Sequence, residues 1–277
     1  MAGSDKKPLL PIGKGSSKSC KPLRVGVKIP VLCFWLLFWI ILYKIINNEI
    51  FLVAPWTVAK TLIRLVQQKE FWETIIFSFL RIVLGFLSAA MVGTLLAVLA
   101  YMSKPLKELI NPLITVIKAT PVASFIILAL LWIKGSNLSV LISFLMVIPM
   151  IYANVYQGLT TTDRKLLEMA EVFKINRFRR IRAIYIPSVI PYFTSAISVS
   201  LGFCWKAGIA AEVIGIPTGS IGERLYEAKI YLVIDELYAW TVVIILISIT
   251  FEKLVLYFIK FLRLDTHYSD KSKPIGE

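Results

Sequence analysis

Six apolar runs, at residues 27–46, 74–101, 111–133, 138–158, 184–211 and 237–262, decide what this chain can fold into. At ~1.5 Å per residue, even the shortest reaches across a ~30 Å hydrocarbon core. Inside that core no water pairs with backbone N–H and C=O groups, and a helix satisfies them within one segment. With 57% hydrophobic residues and a mean hydropathy of +0.75, the chain lies outside the range of soluble domains. The expected fold is all-α: a polytopic membrane protein with six transmembrane helices over residues 27–262. The first run carries no small-residue cleavage site, so it reads as a retained helix. Residues 1–26 read as a disordered polar tail and residues 263–277 as a second tail.

Charge sets the orientation. The net +14 is concentrated in the tails and between the apolar runs. An even number of crossings puts both tails on one side. That side collects twenty Lys and Arg, from residues 1–28, 102–110, 159–183 and 260 onward. The other collects seven, from 44–72, Lys134 and 212–236. Both termini are therefore expected in the cytoplasm. The same distribution accounts for the basic balance through the lipid bilayer, and nucleic acid is not an expected partner.

Little in the sequence suggests covalent chemistry. Cys20, Cys33 and Cys204 lack paired spacing, and the last two, inside apolar runs, read as buried small hydrophobes. Gly13 to Ser19 faintly resembles a phosphate loop but lacks its first glycine and a preceding strand. No Walker motif, metal-spaced cluster or nucleophile with a base is present, and the single histidine, His267, lies near the C-terminus. The chain is expected to be no enzyme and to carry no cofactor.

Several polar residues stand out against the apolar background. Residues 54–72 are too polar to span and read as an interfacial helix on the outer face, with Trp56, Phe71 and Trp72 at its ends. The second run carries Gly85, Ala89, Gly93 and Ala97 at four-residue steps, a stripe for close helix packing. Arg81 extends that stripe and must face protein or water, or snorkel to the surface. In the third run, Pro121 follows Lys118 and must kink its helix. Trp205, Lys206 and Glu212 interrupt an otherwise small and apolar stretch in the fifth. With Arg81, Lys118 and Pro121 they are the candidate pathway residues.

Between the fourth and fifth runs lies a cationic amphipathic insert. Thr162 and Asp163 can cap its start, and Leu166, Leu167, Ala170, Val172 and Phe173 repeat at helical spacing. Lys174, Arg177, Arg179, Arg180 and Arg182 follow. The insert resembles the coupling loop of ABC importer membrane subunits, whose pattern is Glu-Ala-Ala, then Gly, then Ile-x-Leu-Pro. Glu168, Ala170, Ile184, Ile186 and Pro187 match it, Met169 replaces the first Ala, and Lys174 stands where the family has Gly. The resemblance implies a cytoplasmic helix-turn-helix that docks on an ATPase through Leu167, Glu168, Ala170, Phe173, Lys174 and Pro187. Either Lys174 accepts a left-handed turn at roughly 1 kcal/mol, or the turn forms through Asn176.

The residues Ser78 to Phe86, Pro112 to Pro121, Leu201 to Glu212 and Asp235 extend the likeness, which resembles the nitrate/sulfonate/taurine branch. It implies a bacterial plasma-membrane permease working by ATP-driven alternating access. Its partners would be cytoplasmic ABC ATPase subunits, an extracytoplasmic substrate-binding protein and a second permease copy. The branch permits a sulfonate or taurine, or a thiamine-precursor pyrimidine. A secondary transporter without an ATPase is the rival reading, with Glu212 as its one acidic candidate.

Overall fold

The computed structural model describes residues 29–268, which contain helices and turns only. Four helices are long and apolar enough to cross a bilayer: α3 (Lys69–Met102), α6 (Gly135–Thr160), the helix over Arg177–Gly215, and the Ile234–Ile259 part of α11 (Ile234–Tyr268). The other two apolar runs depart from the expected straight crossings. In α1 (Ile29–Ile46) the apolar stretch Cys33–Ile46 is shorter than a full span. The third run divides into α4 (Lys104–Ala119) and α5 (Val122–Leu130), bent by 100°. Pro121 supplies the break, but the turn is far sharper than a kink. It lets α5 bury Ile126 and Ala129 against Leu138, Ile142, Ala207 and Ala211.

Small residues fix the centre of the bundle. The stripe on α3 faces α6, where a Cβ on Gly85 would lie 2.8 Å from that of Ser143. Ala89 and Ala97 are fully buried along the same line. Close approach of this kind supplies van der Waals contact, the main helix-pairing force where lipid removes the hydrophobic one. The third central helix, α9 (Ile186–Gly215), packs Trp205 against Phe79 and Phe251. Buried Cys204 fits its expected place, whereas Cys33 is exposed on α1.

Residues 54–72 form no single interfacial helix. Amphipathic α2 (Pro55–Val66) ends at Gln67, and Phe71 and Trp72 belong to the first turn of α3. Helix α2 buries Val58, Thr61 and Leu65 and is tied to α11, with Thr61 Oγ1 donating to Asp235 at 2.6 Å and Arg64 paired with Glu236. At its other end α11 continues as a helix to Tyr268, past the expected boundary at 262.

Candidate functional site

The insert folds as α7 (Arg164–Val172), a tight turn, and α8 (Arg177–Arg180). Asp163 caps α7 by accepting from the Lys165 amide at 2.9 Å, whereas Thr162 turns back to donate to the Gly158 carbonyl. The C-terminal turn is a Schellman motif: the Ile175 amide reaches the Ala170 carbonyl at 2.9 Å and the Lys174 amide reaches Glu171 at 3.0 Å. Lys174 holds the left-handed position, φ 49°, and Asn176 is not left-handed. The turn thus sits where the family glycine sits, with the steric cost accepted.

Helix α8 does not stop. A π-helical turn over Ile181–Tyr185 joins it to α9, and the Ile186 amide reaches back to the Ile181 carbonyl. Pro187 explains the widening, since its ring crowds the carbonyl four residues earlier and it has no N–H to offer. The second arm of the helix-turn-helix is therefore the foot of a 39-residue helix running from Arg177 to Gly215.

The candidate coupling residues divide by exposure. Ala170, 1% exposed, is buried within this chain, and Leu167 is half-buried. Glu168, Lys174 and Pro187 are exposed. Phe173 (73% exposed) and Val172 (78%) form with Leu166 and Met169 an apolar surface that no part of the chain covers among the described residues. Met169 was missed as a surface residue because the periodic pattern assigned the face without knowing which side Ala170 would bury.

The pathway candidates separate in the same way. Arg81 lies over the Phe77 ring, 3.7 Å from its centroid, and donates to the Ser136 carbonyl, so it faces protein. Lys118, Pro121 and Lys206 are exposed. Lys118 lies fourteen residues into α4, ~21 Å from its start at Lys104. Trp205 and Glu212 are buried. An open groove of about 510 Å³ between α3 and α6, lined by Ser88, Asn137 and apolar neighbours, includes none of these residues.

Glu212 organises a polar node of its own. Its Oε2 accepts from Ser78 Oγ at 2.7 Å and from the Gly222 amide at 3.3 Å, while Ser78 Oγ accepts from the Ile221 amide at 2.9 Å. Those two amides open α10 (Ile221–Ile230), whose cap is completed when Ser220 accepts from Glu223 N at 3.0 Å. Burying this carboxyl group carries a desolvation cost that the bonds from Ser78 and the start of α10 offset only in part, since its Oε1 has no hydrogen-bond partner among the described residues. Gly222 is required here, because a Cβ would collide with Glu212. Ser139, also fully buried, adjoins the carboxylate. The sequence marked Glu212 but not Ser139 or Gly222 as its neighbours. The available signal was the need of a carboxylate in an apolar segment for donors.

Comparison with known proteins bears on this arrangement. The family described as the binding-protein-dependent transport system inner membrane component matches residues 89–263, which include the insert and α9. This chain belongs to that family. It is 26% identical over 193 residues to the putative aliphatic sulfonates transport permease protein SsuC of Bacillus subtilis, covering 69% of this chain and 70% of that one. It is 29% identical over 155 residues to the nitrate import permease protein NrtB of Synechococcus elongatus, covering 56% of this chain and about half, 55%, of that one. A solved structure, "Crystal structure of an amino acid ABC transporter with histidines", superposes with a TM-score of 0.51 at 19% identity. It covers 68% of this chain and 89% of that chain, and shares the fold. The chain is thus a transport permease of that family, a multi-pass membrane protein and not an enzyme, and it is similar to permeases named for sulfonates and nitrate.

Proposed function

We propose that this permease is the membrane-spanning half of an ATP-driven importer, with both termini cytoplasmic and α7 docked on an ABC ATPase. The observation that carries the reading is the bare apolar surface of Leu166, Met169, Val172 and Phe173 at the foot of a continuous helix. An exposed apolar surface outside the lipid calls for a protein partner. The helix above it is stiff enough to pass a displacement into the bundle, as alternating access requires. A second permease copy completes the pathway, and an extracytoplasmic binding protein delivers the solute.

For the solute, a small anion such as a sulfonate is favoured over a thiamine-precursor pyrimidine. Lys118 and Lys206 are exposed cations within the helices, and the chain resembles permeases named for sulfonates and nitrate. Secondary transport is disfavoured, because Glu212, the acid it would use, is enclosed by Ser78 and the start of α10.

Val172→Asp with Phe173→Asp tests the docking. The variant should reach the membrane at normal levels yet lose ATP-driven uptake and copurification of the ATPase. Normal uptake by the variant refutes the assignment. Uptake with taurine, alkanesulfonates and the pyrimidine as competitors tests the solute, and competition by the pyrimidine alone removes the anion reading.

A further inference from the structure

The foot of the long helix carries a second surface, distinct from the apolar face of α7. Arg177, Arg179, Arg180 and Arg182 fall within six residues, and no Asp or Glu occurs from Val172 to Ala211. Among the described residues, none of the four is paired with a carboxylate. Phe178 (73% exposed) and Ile181 (50%) stand bare among them. The segment is therefore both basic and apolar on its surface, the composition of an interfacial helix rather than of a solvated one.

Its depth can be read from the tyrosines. Tyr185 meets Tyr101, at the end of α3, hydroxyl to hydroxyl at 3.3 Å, and Arg180 lies 5.9 Å from the centre of the Tyr185 ring. Tyrosines mark the headgroup level of a bilayer. The rest of the helix, from Tyr185 to Gly215, is ~45 Å long, enough for the hydrocarbon core and both headgroup layers. Arg182, Arg180, Arg179 and Arg177 then follow at ~4.5 to ~12 Å beyond Tyr185. That range is at or just outside the lipid phosphates and within about one to one and a half Debye lengths of them.

We infer that this arginine turn is a binding site for anionic phospholipid headgroups, which anchors the foot of the helix at the membrane surface while α7 stays free for its protein partner. Charge complementarity and continuity with the membrane span favour lipid over an acidic protein surface. A guanidinium meets a phosphate in a fork of parallel hydrogen bonds, and Phe178 and Ile181 can enter the acyl boundary beside it. The inference goes beyond the importer reading and does not depend on it, since headgroup binding needs neither ATP nor solute.

The test uses the full transporter in vesicles of phosphatidylcholine alone and of an equal mixture with phosphatidylglycerol. The readouts are the phosphatidylglycerol retained after extraction into detergent, measured by native mass spectrometry, and ATP hydrolysis. At about fivefold per charge near the surface, Arg177→Gln/Arg179→Gln/Arg182→Gln should weaken lipid retention on the order of 100-fold. The matching Lys variant should restore it. Lys60→Gln with Lys229→Gln, at the other end of the bundle, should leave retention unchanged. Raising ionic strength should strip the lipid from the unaltered protein, a check that needs no substitution. Retention that ignores salt, or survives the Gln variant, overturns the inference. Loss of the ATPase from the Gln variant in lipid-free detergent overturns it too, by making the turn a protein interface.

Discussion

Replacing Lys174 with glycine should stabilise the turn between α7 and α8. Lys174 is held at φ 49° by the two hydrogen bonds of its Schellman turn. In that region the Cβ of an L-residue crowds the following carbonyl, at about 1–2 kcal/mol. Glycine removes the crowding but loses ~0.5–1 kcal/mol more backbone freedom on folding. The net gain is about 0.5–1 kcal/mol, equivalent to a roughly two- to fivefold change in a local opening equilibrium. The Lys174 side chain is exposed, with no hydrogen bond or ion pair among the described residues, so its loss breaks no such contact. Hydrogen exchange reads the effect directly, because the Lys174 and Ile175 amides are the donors that close the turn. Both should exchange two to five times more slowly in Lys174→Gly, and faster in Lys174→Val, whose branched Cβ tolerates the turn worst. Unchanged or faster exchange in the glycine variant would refute the steric reasoning.

The roof over Glu212 makes a second prediction: Gly222→Ala should lower stability by about 1–3 kcal/mol through overpacking, seen as a drop in the thermal unfolding midpoint in detergent. An unchanged midpoint would mean that α10 sits further from α9 than described. Orientation is tested by single cysteines in a background lacking the three native ones. Thiol reagents that cannot cross the membrane should label Thr218→Cys in intact cells and spare Glu171→Cys. The reverse pattern would invert the proposed topology and remove the ATPase from α7.

The all-helical fold was legible because lipid leaves the backbone few alternatives, so long apolar runs translate directly into helices. The position of the break between α4 and α5 was legible too, in Pro121. Its angle was not, because the bend is set by where Ile126 and Ala129 find cover on α6 and α9, a tertiary matter. Along α7, the sequence showed which positions recur at helical spacing but not which side the protein would bury, and Ala170 turned inward while Met169 did not. Glu212 was visible as an odd charge. Its partner Ser78 lies 134 residues away, and a serine in an apolar run looks the same whether it faces lipid or a buried carboxylate.

Helix α9 continues from the α7–α8 loop at one end and bears the Glu212 carboxyl that grips α10 near the other, which gives it the geometry of a lever with a pinned end. The arm from Glu212 down to Pro187 is ~37 Å long, so a tilt of about 10° about Glu212 sweeps the Pro187 end sideways by ~6.5 Å. Bonds near the pivot barely lengthen during such a swing, since displacement grows with distance from it. Contacts around Tyr185 and Tyr101 sit at the far end of the arm and take nearly the full stroke. Whatever moves the loop therefore moves the foot of the helix farthest, while the α10 cap, as fulcrum, stays nearly still.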